Sequence, residues 1–176
     1  MKKYVIMAKA RREEKDMKTI KIHNVAMNAM IACVYAILTI ICSSFSYGSI
    51  QLRLSEILIF LAYYNRKFIP GLVVGCLFAN VFSPMGIYDM LFGTFATLLT
   101  CFALNRVHHL WMGALTGALF NGVIVGLQLY YLLDLPFFIN AGYVFLGEGI
   151  VLMIGVILFK MIEKNEVFMK KYILPQ

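Results

Sequence analysis

Charged side chains are scarce in this sequence. Asp, Glu, Lys and Arg make up 14% of its 176 residues, where a soluble domain carries about a quarter. Hydrophobic residues reach 61%, and the mean hydropathy is +0.80. That excludes an ordinary water-soluble globule and points to an integral membrane protein. Familiar reactive motifs are missing as well. No Gly-Lys dipeptide occurs, so there is no phosphate-binding loop and no direct means of hydrolysing ATP. Neither HExxH nor GxSxG occurs, which removes two common hydrolase signatures. Cys33, Cys42, Cys76 and Cys101 lie in apolar runs without a CxxC pair. They read as packing thiols, with neither a disulfide nor a metal site. His108 and His109 are adjacent and have no carboxylate beside them. They face different ways on a helix and make a poor metal site. No cofactor is expected.

What the sequence does contain is apolar runs near 24–45, 54–64, 68–83, 87–105, 110–133 and 139–159. A membrane helix needs about 20 apolar residues to cross roughly 30 Å of hydrocarbon. The second run is too short for this by itself, and the third is shorter than ideal. The second crosses with help from the preceding SYGSIQLR, or as irregular backbone buried within the bundle. Charge decides whether it crosses. With six spans and the N-terminus inside, fifteen of the sixteen Lys and Arg residues fall on the cytoplasmic side. Only Arg53 falls outside. A re-entrant second run would split them evenly, against the positive-inside rule. The expected fold is therefore an all-α membrane protein, six transmembrane helices in one compact bundle, with both termini cytoplasmic. Residues 1–23 form a basic cytoplasmic tail, 24–162 the membrane domain, and 163–176 a second cytoplasmic tail. The tail MKKYVIMAKARREEKDMKTIKIH has no small-residue cleavage site, so the first run reads as a retained anchor. The start is either Met1 or Met17, since a short MKTIKIHN leader would serve the same purpose. The links SPMG and DLP lie outside, and Pro84 and Pro136 end helices there.

Polar groups inside the apolar runs are the functional suspects, because a charge near the bilayer centre costs about 2.5–3.5 kcal/mol. Glu148, in NAGYVFLGEGIVLMIGV, lies roughly 13 Å into the last run at helical rise and is flanked by Gly147 and Gly149. It is either a ligand carboxylate or a group neutralised or paired in the bundle. Asn80 and Asn121 either tie helices together or line a site. Asp89 either stabilises a helix N-terminus or faces the outer mouth. Tyr47, Tyr88, Tyr130 and Tyr143 read as an interfacial belt. Ala32/Ala36, Gly71/Gly75, Gly113/Gly117 and Gly122/Gly126 recur at four-residue spacing. Such spacing serves close helix packing, and the alanine pair could instead form a docking face. The outer and intramembrane acids are Glu56, Asp89, Asp134 and Glu148, against the single cation Arg53. That balance suggests an outward-facing pocket for a small ligand with several N–H donors. Arg53 and Glu56 form a local ion pair, or Arg53 and Gln51 meet the ligand from a loop over the pocket mouth. Both arrangements are compatible.

The stretches YGSIQLRLSE and GCLFANVFSPMGIYDMLFGTFATLL, with the later Gly-Glu pair, resemble the QueT family over about residues 24–160. These are substrate-capture (S) components of energy-coupling factor (ECF) transporters, associated with queuosine precursors. The resemblance implies a six-helix protein of the cell membrane that is not an enzyme. It would work with a membrane coupling subunit and two ATPase subunits. It also gives Ala32 and Ala36 the role of docking the coupling subunit. The implied ligand is a 7-deazaguanine, either queuine or its aminomethyl or cyano precursor. Glu148 would accept the ring N1–H and exocyclic amine together. Arg53 or Gln51 would donate to the ring carbonyl, and Asn80 and Asn121 would meet the remaining polar positions. Asp89 or Glu56 would meet a side-arm ammonium. Other readings stay open: an S component for riboflavin, thiamine or another purine-like ligand, a small membrane enzyme using Glu148 and Asp89, or a structural membrane subunit.

Overall fold

The computed structural model describes residues 2–46 and 51–174, with side chains from Lys21 onward except that of Phe45. Tyr47 and most of the SYGS stretch lie outside the described residues. Among the described residues every regular element is helical. The chain runs through α1 (Lys2–Ile41), a short α2 (Ser43–Ser46), a 3-10 helix (Leu54–Ile59) continuing into α3 (Phe60–Tyr64), and a 3-10 turn (Arg66–Phe68). Then come α4 (Ile69–Val81), α5 (Ile87–Leu104), α6 (Leu110–Leu133) and α7 (Phe137–Glu163). A C-terminal strap follows, from Glu166 to Ile173. The 110–133 element has the bounds read from the sequence. The last run extends beyond 139–159, and the helix of the N-terminal tail is continuous with the first run.

Four stretches are long and apolar enough to cross a membrane: Lys21–Ile41, Ile87–Leu104, Leu110–Leu133 and Phe137–Glu163. This is a multi-pass membrane protein. Its surface has the composition that lipid demands, with Ile37, Phe78, Phe95, Leu119, Leu146 and Ile157 all exposed. On a soluble domain such a continuous apolar surface would drive aggregation. The α4 helix and the 54–64 segment are shorter, each about 20 Å long at helical rise. The 54–64 segment begins after extended backbone at Arg53, and residues 51–64 together reach about 30 Å.

Helices α1, α4, α5, α6 and α7 pack in that order as neighbours, and the 54–64 segment fits between α7 and α1 while touching α4, α5 and α6. Ser55, Glu56, Ile59, Phe60 and Ala62 are completely buried there. Non-helical backbone at membrane depth is tolerated where protein covers it, so burial explains how a 3-10 stretch sits inside this bundle. Small residues bring the helices together. A Cβ on Gly75 would lie 2.9 Å from the Ala32 Cα and 2.8 Å from the Tyr35 Cβ. On Gly126 it would lie 2.9 Å from the Ala141 Cα. The glycine pairs thus serve internal packing. Ala32 is itself buried against Gly75 and Ala36 is half-buried. Of the two alanines only Ala36 retains appreciable open surface, because α4 occupies the face that carries Ala32.

The interior has two halves. At the end carrying Arg66, Lys67 and Arg106 the core is apolar: Phe60, Leu72, Leu104, Leu110, Val156 and Phe159. Side chains pin that end. Asn28 Nδ2 donates to the Lys67 carbonyl at 2.8 Å and Asn28 Oδ1 accepts from Gly71 N at 2.7 Å. Asn65 Nδ2 donates to the Ile173 carbonyl at 3.1 Å, which holds the strap with Met169 and Ile173 buried. The other end carries the 82–86 turn, where Gly86 takes φ 55°, and the α6–α7 turn, where Asp134 takes φ 51°. Asp tolerates that left-handed conformation as a helix C-cap better than most residues do. Toward this second end the interior becomes polar.

Candidate binding site in the helix interior

Arg53, Glu56, Asn80, Asp89, Asn121 and Glu148 are each 3% exposed or less, and Gln51 is 6% exposed. The seven positions given binding roles from the sequence are therefore all interior. The arrangement is built around Glu56, which the 3-10 backbone aims inward. Glu56 Oε1 accepts from the Tyr35 hydroxyl on α1 at 2.5 Å and from Thr97 Oγ1 on α5 at 2.9 Å. Thr97 in turn lies 3.3 Å from Cys76 Sγ on α4, and Asn80 Nδ2 donates to that sulfur at 3.4 Å. Thr39 and Ser55 hydroxyls meet at 2.6 Å behind this network. One carboxylate thus ties three elements together around a polar centre.

Arg53 sits beside that centre. Its guanidinium interacts electrostatically with both Glu56 and Glu148. Gly93 makes room for it: a Cβ there would lie 3.2 Å from Arg53 Nη1 and 2.8 Å from Asn80 Nδ2. The bare backbone of α5 therefore forms one wall against the guanidinium and the Asn80 amide. Glu148 approaches from α7. Among the described residues, Glu148 Oε2, Glu56 Oε2 and Asn80 Oδ1 are buried without a hydrogen-bond partner. Buried acceptors are nearly always satisfied in folded proteins, so this group suits a bound donor-rich molecule.

Asp89 belongs to a second polar group one turn of α5 away from Gly93. Gln128 Nε2 on α6 donates to Asp89 Oδ1 at 2.5 Å, and the Ser83 hydroxyl donates to Asp89 Oδ2. Asn121 is on the same helix as Gln128, and its Nδ2 donates to the Gly117 carbonyl at 3.2 Å, within its own helix. Arg53, Glu56, Glu148 and Asn80 thus come together, Asp89 borders them, and Asn121 makes a local contact. Tyr35, Cys76, Thr97, Ser83 and Gln128 were not singled out as site residues. Gln128 carried a readable signal, since it is a lone amide in the apolar run VIVGLQLYYLL. The belt tyrosines Tyr88, Tyr130 and Tyr143 are partly exposed, by 47%, 47% and 44%.

An apolar groove also runs along α7, lined by Phe145, Leu146, Gly149, Ile150, Met153, Ile154 and Ile157. It lies on the lipid-facing side of a single helix and carries no polar group, so the buried polar centre is the better candidate.

The sequence profile of the QueT transporter family matches residues 25–164. The chain belongs to the QueT transporter family. It is also similar to the Queuosine precursor transporter QueT of Lactococcus lactis subsp. cremoris (strain MG1363). The two are 31% identical over 165 residues, covering 85% of this chain and 97% of that protein. No solved structure matches the chain. The QueT match takes in every residue of the polar interior and ends before the strap that closes the basic end.

Proposed function

We propose that this QueT-family protein is the substrate-capture subunit of an ECF importer and binds a 7-deazaguanine queuosine precursor in its polar interior. The observation that carries this reading is the meeting of Arg53, Glu56, Asn80 and Glu148 in a fully buried space with carboxylate and amide oxygens left to accept. A guanine-like edge supplies the complement. Its N1–H and exocyclic amine form two parallel donors for one carboxylate, and its ring carbonyl accepts from a guanidinium. Glu148 takes the first role and Arg53, helped by Gln51, the second. Tyr35 and Thr97 already occupy one oxygen of Glu56, which makes Glu56 the residue that fixes Arg53.

In this reading the 54–64 segment and α4 are the second and third of six spans, and both termini are cytoplasmic. The basic end is then the inner end, in keeping with the positive-inside rule. The site opens toward the opposite end and outward. The chain performs no covalent chemistry. A membrane coupling subunit and two ATPase subunits supply the energy, and the coupling subunit docks along α1 beside Ala36.

Titration of the purified chain in detergent tests the reading. Queuine, its aminomethyl and cyano precursors, guanine, riboflavin and thiamine are the probes. Nanomolar to low-micromolar binding of a deazaguanine, with guanine far weaker, is expected. Binding of riboflavin or thiamine instead would keep capture and overturn the specificity. Binding of none would overturn both.

A further inference from the structure

Gln128 is 1% exposed, and its carboxamide is held in one orientation. Its Nε2 donates to Asp89 Oδ1 at 2.5 Å and lies 3.5 Å from Met85 Sδ. The Ser83 hydroxyl donates to the other oxygen of Asp89. An amide looks nearly the same in either flip, so its neighbours must decide which end is which. Here the neighbours decide: Ser83 already donates to Oδ2 of Asp89, Oδ1 accepts from the Gln128 nitrogen, and the amide oxygen faces away. That oxygen, Gln128 Oε1, is buried and has no hydrogen-bond partner among the described residues. Gln128 follows Asn121 by two turns on the buried face of α6, about 10 Å along the axis. Asp89 precedes by one turn the Gly93 backbone that faces Arg53 and Asn80. Through Asp89, Gln128 therefore lies next to the polar centre at the end bearing the 82–86 turn, with its oxygen turned away from Asp89.

We propose that Gln128 is a specificity-determining residue of the binding site, its Oε1 accepting one N–H of the ligand, and that Asp89 and Ser83 are positioning residues that lock the amide in that sense. This rests on the reading of the interior as a site for a 7-deazaguanine. It changes the role given to Asp89, each of whose oxygens already accepts a bond from the protein. A ligand that offers a carbonyl or bare ring nitrogen at this point meets oxygen against a lone pair and is rejected.

The test pairs protein variants with ligand analogues that each lack one donor. The full-length chain in detergent is titrated calorimetrically with 7-deazaguanine, with 7-deazahypoxanthine, which lacks the exocyclic amine, and with the N1-methyl and N9-methyl derivatives. In the wild type, loss of the donor that meets Gln128 weakens binding at least tenfold. In Gln128→Met the same loss costs less than twofold, while the other donors keep their effect. Asp89→Asn, which can donate to the glutamine oxygen and turn the amide over, loses the same donor preference. The double variant D89N/Q128E restores it, because a carboxylate oxygen again faces the ligand. Should Gln128→Met fail to fold, D89N and D89N/Q128E carry the test. Equal weakening of every analogue, with a lowered Tm and no recovery in D89N/Q128E, would overturn the inference and leave Gln128 a purely structural group. A wild type that binds none of the four would overturn the deazaguanine reading itself.

Discussion

Individual residues divide here into those that complete one another and those that await a partner. Glu56 belongs to the first kind through Oε1, to which Tyr35 and Thr97 both donate, although its Oε2 has no partner among the described residues. Taking one donor from a buried carboxylate costs about 1–3 kcal/mol. Tyr35→Phe should therefore lower thermal stability in detergent while leaving the helical content intact. An unchanged Tm would mean that the Tyr35–Glu56 contact does not hold the fold. Glu148 and Gln128 belong to the second kind, each with a buried oxygen unpartnered among the described residues. The sequence made the first layer of this readable, because a charge or amide inside an apolar run stands out. Glu148 and Asn80 were legible in that way, and Arg53 as the one cation on the outer side of the expected topology. The partners Tyr35, Cys76 and Thr97 were not, since Tyr, Cys and Thr are ordinary residues in a membrane helix. Only the packing of three elements gives them a role.

At the scale of elements, the informative piece is the 54–64 segment. Length alone ranks it below a membrane span, and four longer helices stand out before it. Its central place comes from burial: it fills the seam between α7 and α1, where Ser55, Glu56 and Ile59 of its 3-10 turns are fully covered. The long apolar runs were legible because a run of about 20 apolar residues has few alternatives in water or lipid. The seam was not, because which helix neighbours which depends on contacts distant in sequence. The alanine pair makes the same point. Four-residue spacing marks a close-packing face but not the partner, and α4 covers Ala32 through Gly75. The crossing of the 54–64 segment is checked with Lys67→Cys in a background whose four native cysteines are replaced by alanine. A membrane-impermeant thiol reagent should label it only after the cytoplasmic side is opened. Labelling in intact cells would make the segment re-entrant and place the 65–68 turn outside.

Taken whole, the molecule inverts the soluble pattern. Apolar side chains such as Phe78, Phe95 and Leu146 cover the outside, while carboxylates, amides and an arginine fill half of the inside. Apolar packing and the pinned 65–68 turn close the basic end, and the polar half lies toward the end bearing the 82–86 turn, the α6–α7 turn and the α1–α2 junction. On the capture reading proposed above, that asymmetry supplies a closed end and a polar interior near the other. A ligand biases a protein toward one state only by binding it better than the other, so on that reading transport depends on affinity at the polar centre. The most direct measurement is the affinity of queuine, or of whichever deazaguanine binds tightest, for the wild type and for Glu148→Ala, with Tm recorded for both. A loss of at least tenfold in affinity, with the Tm of the ligand-free proteins alike, is the predicted result. Unchanged affinity in a folded Glu148→Ala protein would contradict the placement of the ligand in the polar interior.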